Sequence, residues 1–287
     1  MVIIMKVLLT GCNGQLGREL TRQFDRFADK YEILKTDVHN LDITDYNSVM
    51  GIVKSTRPDA VINCAACTNV DACESDEILA FRVNAMGARN LSAASDMVGA
   101  KMLQVSTDYV FDGSISKPKR EYDETNPQNC YGRSKLLGEK LVKDTNKRFF
   151  IVRTAWLYGD GNNFVRTMLK LSKEKKEIDI VNDQTGSPTS TIDLARCIIN
   201  LINTDNYGIY HATGEGSCSW YEFAQAIFKL AGIDINVNAI TSEQLNRPAV
   251  RPKYSVLDNF MLKILDINNF RYWEDALREY MEGEKAV

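Results

Sequence analysis

Apolar runs and amphipathic stretches alternate through the first half of the chain. Val2-Ile-Ile-Met-Lys-Val-Leu-Leu-Thr10 is nearly all apolar, as a strand buried on both faces reads, and Arg18–Phe27 has the spacing of an amphipathic helix. The alternation continues with a strand over Tyr31–Asp37, a helix over Asp45–Thr56, and a strand over Asp59–Asn63 after a turn at Pro58. Glu74–Met97 then reads as one long helix, Lys101–Ser106 as a fourth strand, and Arg148–Arg153 as a fifth, with a helix through Lys135–Lys143 between them. Such regular alternation predicts an α/β fold, a doubly wound parallel sheet covered by helices on both faces. Ligands of such sheets gather at the carboxyl ends of the strands. Those ends carry Gly11, Asp37, Asn63, Ser106-Thr107 and Arg153-Thr154.

Beyond about residue 160 the rhythm loosens. Helices are expected over Asn163–Lys175, Ile192–Asn203 and Trp220–Ala231, with short strands at Ile178–Val181 and Gly208–His211. Arg247-Pro248 and Arg251-Pro252 open an irregular segment before two terminal helices. The expected division is a dinucleotide-binding domain over 1–160 and a smaller, mainly substrate-binding domain over 161–287. The second is interleaved, with some segments returning to the sheet.

Composition narrows the class. A chain of 287 residues can bury a large core. A net charge of -3 and a pI near 5.6 argue against nucleic acid or a membrane surface as partner. The apolar N-terminus is broken by Thr10-Gly11 too soon for a signal peptide or a span. Seven scattered cysteines include Cys64-Ala-Ala-Cys67, a redox or metal spacing, but no second pair with histidines follows, since His39 and His211 are the only two. Free thiols of a cytoplasmic protein are the expectation.

Two motifs carry chemistry. Gly11-Cys-Asn-Gly14-Gln-Leu-Gly17 lies between the first strand and the first helix, the context of a dinucleotide-binding, Rossmann-type fingerprint. Its first two glycines stand one residue further apart than usual. Glycines there let the backbone approach a pyrophosphate held at the helix N-terminus. Asp37, ending the second strand, is placed to accept from adenosine ribose hydroxyls, which favours NAD; Lys35 and Arg18 lie close enough in sequence to leave the 2′-phosphate of NADP open. In Cys130-Tyr-Gly-Arg-Ser-Lys135, Tyr131 and Lys135 share one face of a helix. An ammonium beside a phenol is expected to lower the tyrosine pKa toward neutrality and suit it to proton exchange with a carbonyl/alcohol pair.

The glycine turn, Asn63-Cys-Ala-Ala66, Ser106-Thr-Asp-Tyr-Val-Phe-Asp-Gly113, Tyr131-Gly-Arg-Ser-Lys135 and Arg153-Thr-Ala-Trp-Leu-Tyr-Gly159 together resemble an extended short-chain dehydrogenase/reductase. With Asn182-Asp-Gln-Thr-Gly-Ser-Pro-Thr189 and Arg247-Pro-Ala-Val-Arg-Pro252, the chain is similar nearly end to end to the dTDP-4-dehydrorhamnose reductase family. The resemblance implies NADPH- or NADH-dependent reduction of a 4-keto deoxysugar nucleotide, dTDP-4-dehydro-6-deoxy-L-mannose, to dTDP-L-rhamnose. It makes Tyr131 the proton donor, Lys135 its activator and a ribose ligand, and Thr107 the group that polarises the carbonyl. It places Thr107, Asp108 and Trp156 on the sugar, and Arg247 and Arg251 on the nucleotide diphosphate. Gly14, Gln15 and Leu16 then approach the pyrophosphate, Asp42 and Ile43 flank the adenine, and Ala65 and Ala66 follow the dinucleotide beyond the third strand.

The chain departs from the family pattern at Cys67, where an aromatic or imidazole side chain is expected near the nicotinamide. Some relatives dimerise around Mg²⁺ through an acid in the first helix. Glu19 fits that place, but Ile192 stands where a second acid is expected, so no metal is assigned and a homodimer stays open. Two other functions fit the same fold. One is a nucleotide-sugar epimerase or dehydratase, although no glutamate follows Thr107-Asp108 as dehydratases usually have. The other is a non-catalytic, reductase-like regulatory subunit of methionine adenosyltransferase, against which the intact Thr107, Tyr131 and Lys135 argue.

Overall fold

The computed structural model describes residues 4–285. In chain order the first half runs β1 (Met5–Thr10), α1 (Gln15–Asp25), β2 (Tyr31–Thr36), α2 (Tyr46–Thr56), β3 (Ala60–Asn63), α3 (Val70–Ser75), α4 (Glu77–Phe81), α5 (Ala88–Val98), β4 (Lys101–Thr107), α6 (Cys130–Thr145) and β5 (Phe149–Thr154). The second half runs β6 (Leu157–Tyr158), α7 (Phe164–Glu174), β7 (Glu177–Val181), β8 (Thr185–Gly186), β9 (Thr189–Ser190), α8 (Thr191–Ile202), β10 (Gly208–His211), β11 (Cys218–Ser219), α9 (Trp220–Ala231), β12 (Asn236–Ile240), α10 (Ser242–Leu245), α11 (Phe260–Ile264) and α12 (Trp273–Lys285). Val2 and Ile3, expected in the first strand, lie outside the described residues.

Six parallel strands form the main sheet in the order β10-β5-β4-β3-β1-β2. It is the expected Rossmann-type doubly wound sheet, and its last strand comes from beyond residue 160. One face packs Leu16, Leu20 and Phe24 of α1 with Leu194 and Ile198 of α8; the other packs Val49 and Val53 of α2 with Leu91 of α5 and Val142 of α6. A separate core under the smaller sheets joins Tyr158, Val165, Ile178, Phe223, Ile227, Trp273 and Leu277.

Two expectations change. Glu74–Met97 is not one helix: the Asp76 side chain accepts from the Leu79 amide at 2.9 Å and caps α4, and residues Arg82–Gly87 form a π-helical turn before α5. The apolar spacing continues across the break, so periodicity alone could not see a side chain competing for the backbone. β12, which pairs in parallel with β7, was not predicted. Its sequence Asn-Val-Asn-Ala-Ile alternates polar and apolar at first and buries no residue fully, so it carries little apolar signal.

Candidate active site

The carboxyl ends of β1, β3 and β4 are tied by a buried polar chain. Thr10 Oγ1 donates to Asn63 Oδ1 at 2.6 Å, Asn63 Nδ2 to Gln104 Oε1 at 2.8 Å, and Gln104 Nε2 to the Val105 carbonyl at 2.7 Å. Buried amides satisfied in this way fix the strand ends relative to one another. Above them lie two adjoining cavities of about 480 and 350 Å³, which share Gly11, Gly14, Cys64 and Ala66.

The glycine turn forms their common floor. Gly11 has φ +68°, and a Cβ there would stand 2.6 Å from the Ala65 amide nitrogen. At Gly17 a Cβ would stand 2.1 Å from the Gly11 carbonyl oxygen. Only glycine lets the turn approach the loop after β3 at Gly11 and lets α1 pack back on the turn at Gly17. The α1 N-terminus has no side-chain cap, so its first amides remain open toward the cavities. Gln15, Leu16 and Gly17 line the first cavity; Asp37, Asp42, Ile43, Ala65 and Ala66 line the second. The donor set and the clearance suit an extended dinucleotide.

Asp37 is oriented by two backbone donors, Asn13 N at 3.1 Å and Val38 N at 2.7 Å. Neither cation that could offset it reaches the cavity lining. Lys35 Nζ pairs with Asp25 at 3.0 Å, and Arg18 donates to the carbonyls of Asn13 and Asp160.

The catalytic candidates converge on the first cavity. Asn129 caps α6, its Oδ1 accepting from Gly132 N at 2.7 Å, which sets the phase of Tyr131 and Lys135. Thr107, Asp108, Tyr131 and Lys135 all line the cavity. Thr107 Oγ1 donates to Asp108 Oδ1 at 2.9 Å, and the Thr107 side chain also acts on the neighbouring Tyr131 phenol. Its single proton can thus turn to either neighbour or to a ligand.

One expectation is reversed here. Burial raises the Tyr131 phenol above its ordinary value, and the Thr107 hydrogen bond offsets this only partly. Lys135 does not lower it: its Nζ donates to the Val105 carbonyl at 2.6 Å, and burial brings it down to about 8, against the pull of Glu139. A phenol that keeps its proton at neutral pH is a proton donor rather than a base. Asp108 is also buried; burial pushes it up to about 6, against the pull of the Ser255 and Thr107 side chains.

The substrate candidates divide. Trp156 lines the first cavity, but one indole face is already covered by Trp220, with ring centroids 3.5 Å apart and planes at 6°. Arg247 and Arg251 line neither cavity. Both bind Asp71 of α3, Arg251 through two contacts of 3.1 and 3.0 Å and Arg247 at 3.3 Å, and the Arg251 hydrogen bond leads in holding that carboxyl below its usual range. Glu19 is taken up by Arg22 and by Gln23 Nε2 at 2.7 Å. Among the described residues no three His, Cys, Asp or Glu side chains gather as a metal site.

Sequence reasoning missed Trp220, Asp71 and Tyr109. Tyr109 meets Tyr131 edge to face at 5.6 Å and lines the cavity beside it. It sits inside the quoted Ser106–Gly113 motif, which was a usable signal. Nothing local to Trp220 or Asp71 marks them.

Comparison with known proteins gives the family and the fold. The family model described as "RmlD substrate binding domain" matches residues 5–285. A crystal structure of a dTDP-4-dehydrorhamnose reductase from Clostridium acetobutylicum is 51% identical, with TM-score 0.96, covering 98% of this chain and 100% of that one. The Bacillus anthracis dTDP-4-dehydrorhamnose reductase, crystallised with NADP, is 43% identical with TM-score 0.95 over 98% and 100% of the two chains. The spore coat polysaccharide biosynthesis protein SpsK of Bacillus subtilis is 43% identical over 98% of this chain and 99% of its own.

Proposed function

The chain belongs to the RmlD substrate binding domain family, that of the dTDP-4-dehydrorhamnose reductases within the extended short-chain dehydrogenases/reductases, and from this premise we propose that it reduces the 4-keto group of dTDP-4-dehydro-6-deoxy-L-mannose to give dTDP-L-rhamnose. The observation that carries the proposal is the convergence of Thr107, Tyr131 and Lys135 on a cavity continuous with the glycine cradle.

A bound nicotinamide dinucleotide, NADPH or NADH, supplies the hydride. The glycine turn and the open amides of α1 hold its pyrophosphate, and Asp37 receives the adenosine ribose. Thr107 turns its hydroxyl from Asp108 toward the sugar carbonyl and polarises it. Tyr131, protonated at neutral pH, delivers its proton to the oxygen as negative charge develops there. Lys135 lies one helical turn from Tyr131 and binds the ribose. The Lys35–Asp25 pair is substantially exposed, so releasing Lys35 toward a 2′-phosphate costs little. That keeps NADPH compatible with Asp37.

The test is purified protein with the 4-keto sugar nucleotide and each reduced cofactor. Loss of the reduced-nicotinamide absorbance, matched by dTDP-L-rhamnose formation, is expected. Product formed without net cofactor oxidation would point to an epimerase or dehydratase. Cofactor binding without turnover of any 4-keto dTDP-sugar would favour the regulatory role.

A further inference from the structure

Cys67 and Cys73 bring their Sγ atoms to 3.5 Å, and the reduction uses neither of them. Cys67 is partly exposed and lines the second cavity directly after Ala66. Cys73, on α3, is fully buried, and its thiol also faces the Cys67 carbonyl at 3.7 Å. Cys130, Phe81 and Tyr131 pack around the pair, so it sits in the wall behind the catalytic phenol. It differs from the pair that the Cys-x-x-Cys spacing suggested, because Cys64 is not the neighbour of Cys67.

The Cys67 backbone is gripped from the π-helical turn. Asn84 Oδ1 accepts from Cys67 N at 2.8 Å, and Asn84 Nδ2 donates to the Cys67 carbonyl at 3.0 Å. The same amide nitrogen lies 3.0 Å from Ser134 Oγ, which donates to the Tyr131 carbonyl at 2.8 Å. A displacement of Cys67 therefore acts on the cavity lining directly and on α6 through Asn84. Inserted π turns of this kind are frequent at functional sites.

We propose that Cys67 and Cys73 are a reversible dithiol/disulfide site, closed by a hydroperoxide, whose oxidised form weakens dinucleotide binding. With hydrogen peroxide, Cys67 Sγ attacks one oxygen, an S–O bond forms as the O–O bond breaks, and water leaves. Cys73 Sγ then attacks the sulfenyl sulfur, the S–S bond forms as the S–O bond breaks, and a second water leaves. The two sulfurs lose the two electrons that the peroxide gains, and both thiol protons end in water. Cys67 takes the first step because it is the thiol that solvent reaches. A disulfide needs sulfurs about 2.05 Å apart, so the pair closes by roughly 1.5 Å. Cys73 is fixed in a helix, so the Cys67 loop makes most of that movement, at the expense of the Asn84 grip and the cavity wall.

The effect on the dinucleotide rests on the proposed function; the bond itself does not. The full-length protein is reduced, freed of reductant, and treated with stoichiometric hydrogen peroxide. Peptide mapping then identifies the linked cysteines, and NADPH fluorescence titration follows binding before and after. The expected result is a Cys67–Cys73 linked peptide and NADPH affinity lowered on the order of tenfold. Dithiothreitol should reverse both, and Cys73→Ser should lose both while binding NADPH normally. A peptide linking other cysteines, or Cys67 oxidised without a partner, overturns the site. A Cys67–Cys73 bond with unchanged NADPH affinity overturns the coupling. Failure of the reduced protein to bind either NADPH or NADH would overturn the coupling together with the proposed function, while the peptide map still decides the bond. If Cys73→Ser does not fold, the wild-type map and the dithiothreitol reversal decide alone.

Discussion

Asp108→Asn separates the charge of this buried carboxyl from its packing. Asp108 is 2% exposed, one oxygen faces Thr107 Oγ1 at 2.9 Å, and the Ser255 side chain also favours its ionised form without outweighing burial. Burial raises its pKa from 3.8 to about 6. The folded state thus holds this proton more tightly than the unfolded chain does. Its contribution to stability is complete below about pH 4 and is lost as pH rises through about 6. Two pK units correspond to about 3 kcal/mol, the penalty that the ionised carboxylate imposes on the fold near pH 8. Asparagine keeps the shape and cannot ionise. Urea unfolding of both proteins across pH 4–8 gives the stability difference at each pH, and a fixed packing cost cancels from its slope. The variant should gain on the wild type by about 3 kcal/mol across that window, with most of the change between about pH 4 and 6. A difference that stays flat with pH would refute the buried, under-solvated carboxyl.

Tyr131→Phe should lower kcat by about 10²- to 10⁴-fold and leave NADPH affinity nearly unchanged, since only the proton-donating hydroxyl is lost; turnover like the wild type would remove Tyr131 from the chemistry. Asp37→Asn should raise the ratio of kcat/KM for NADPH over NADH, because a carboxylate repels a 2′-phosphate, and an unmoved ratio would place Asp37 away from the ribose. Arg251→Ala should leave KM for the sugar nucleotide and NADPH affinity nearly unchanged, because Asp71 holds Arg251 outside both cavities; a rise in KM for the sugar nucleotide alone would return Arg251 to the substrate. Trp156→Ala should destabilise the chain in denaturant by about 0.5–1.5 kcal/mol beyond the lost burial of a partly exposed ring, because it strips one side of the stack with Trp220.

The sheet was legible because its strands are short apolar runs at regular intervals, and Gly11, Asp37 and Thr107 mark their ends. The glycine cradle was legible because backbone clearance leaves glycine as its sequence trace. What stayed hidden depends on contacts between distant segments. Arg247 and Arg251 look like free phosphate ligands until α3 brings Asp71 beneath them. The i and i+4 spacing of Tyr131 and Lys135 places both on one face, but says nothing of the Val105 carbonyl that takes the ammonium or of the burial that dominates the phenol. The Cys64–Cys67 spacing drew attention to two thiols read as free, and gave no sign that the fold of α3 sets Cys73 3.5 Å from Cys67.

The stack of Trp156 on Trp220 also gives the molecule an optical identity. The chain has three tryptophans, and the third, Trp273, lies in the same small core. All of its indole emission therefore originates on one side of the cleft. Two indoles held face to face at 3.5 Å act as coupled oscillators rather than independent chromophores. Their circular dichroism should show a paired positive and negative band that an ordinary distribution of tryptophans would not give. Because that pair borders the first cavity, the band reports on the substrate side of the cleft without any label.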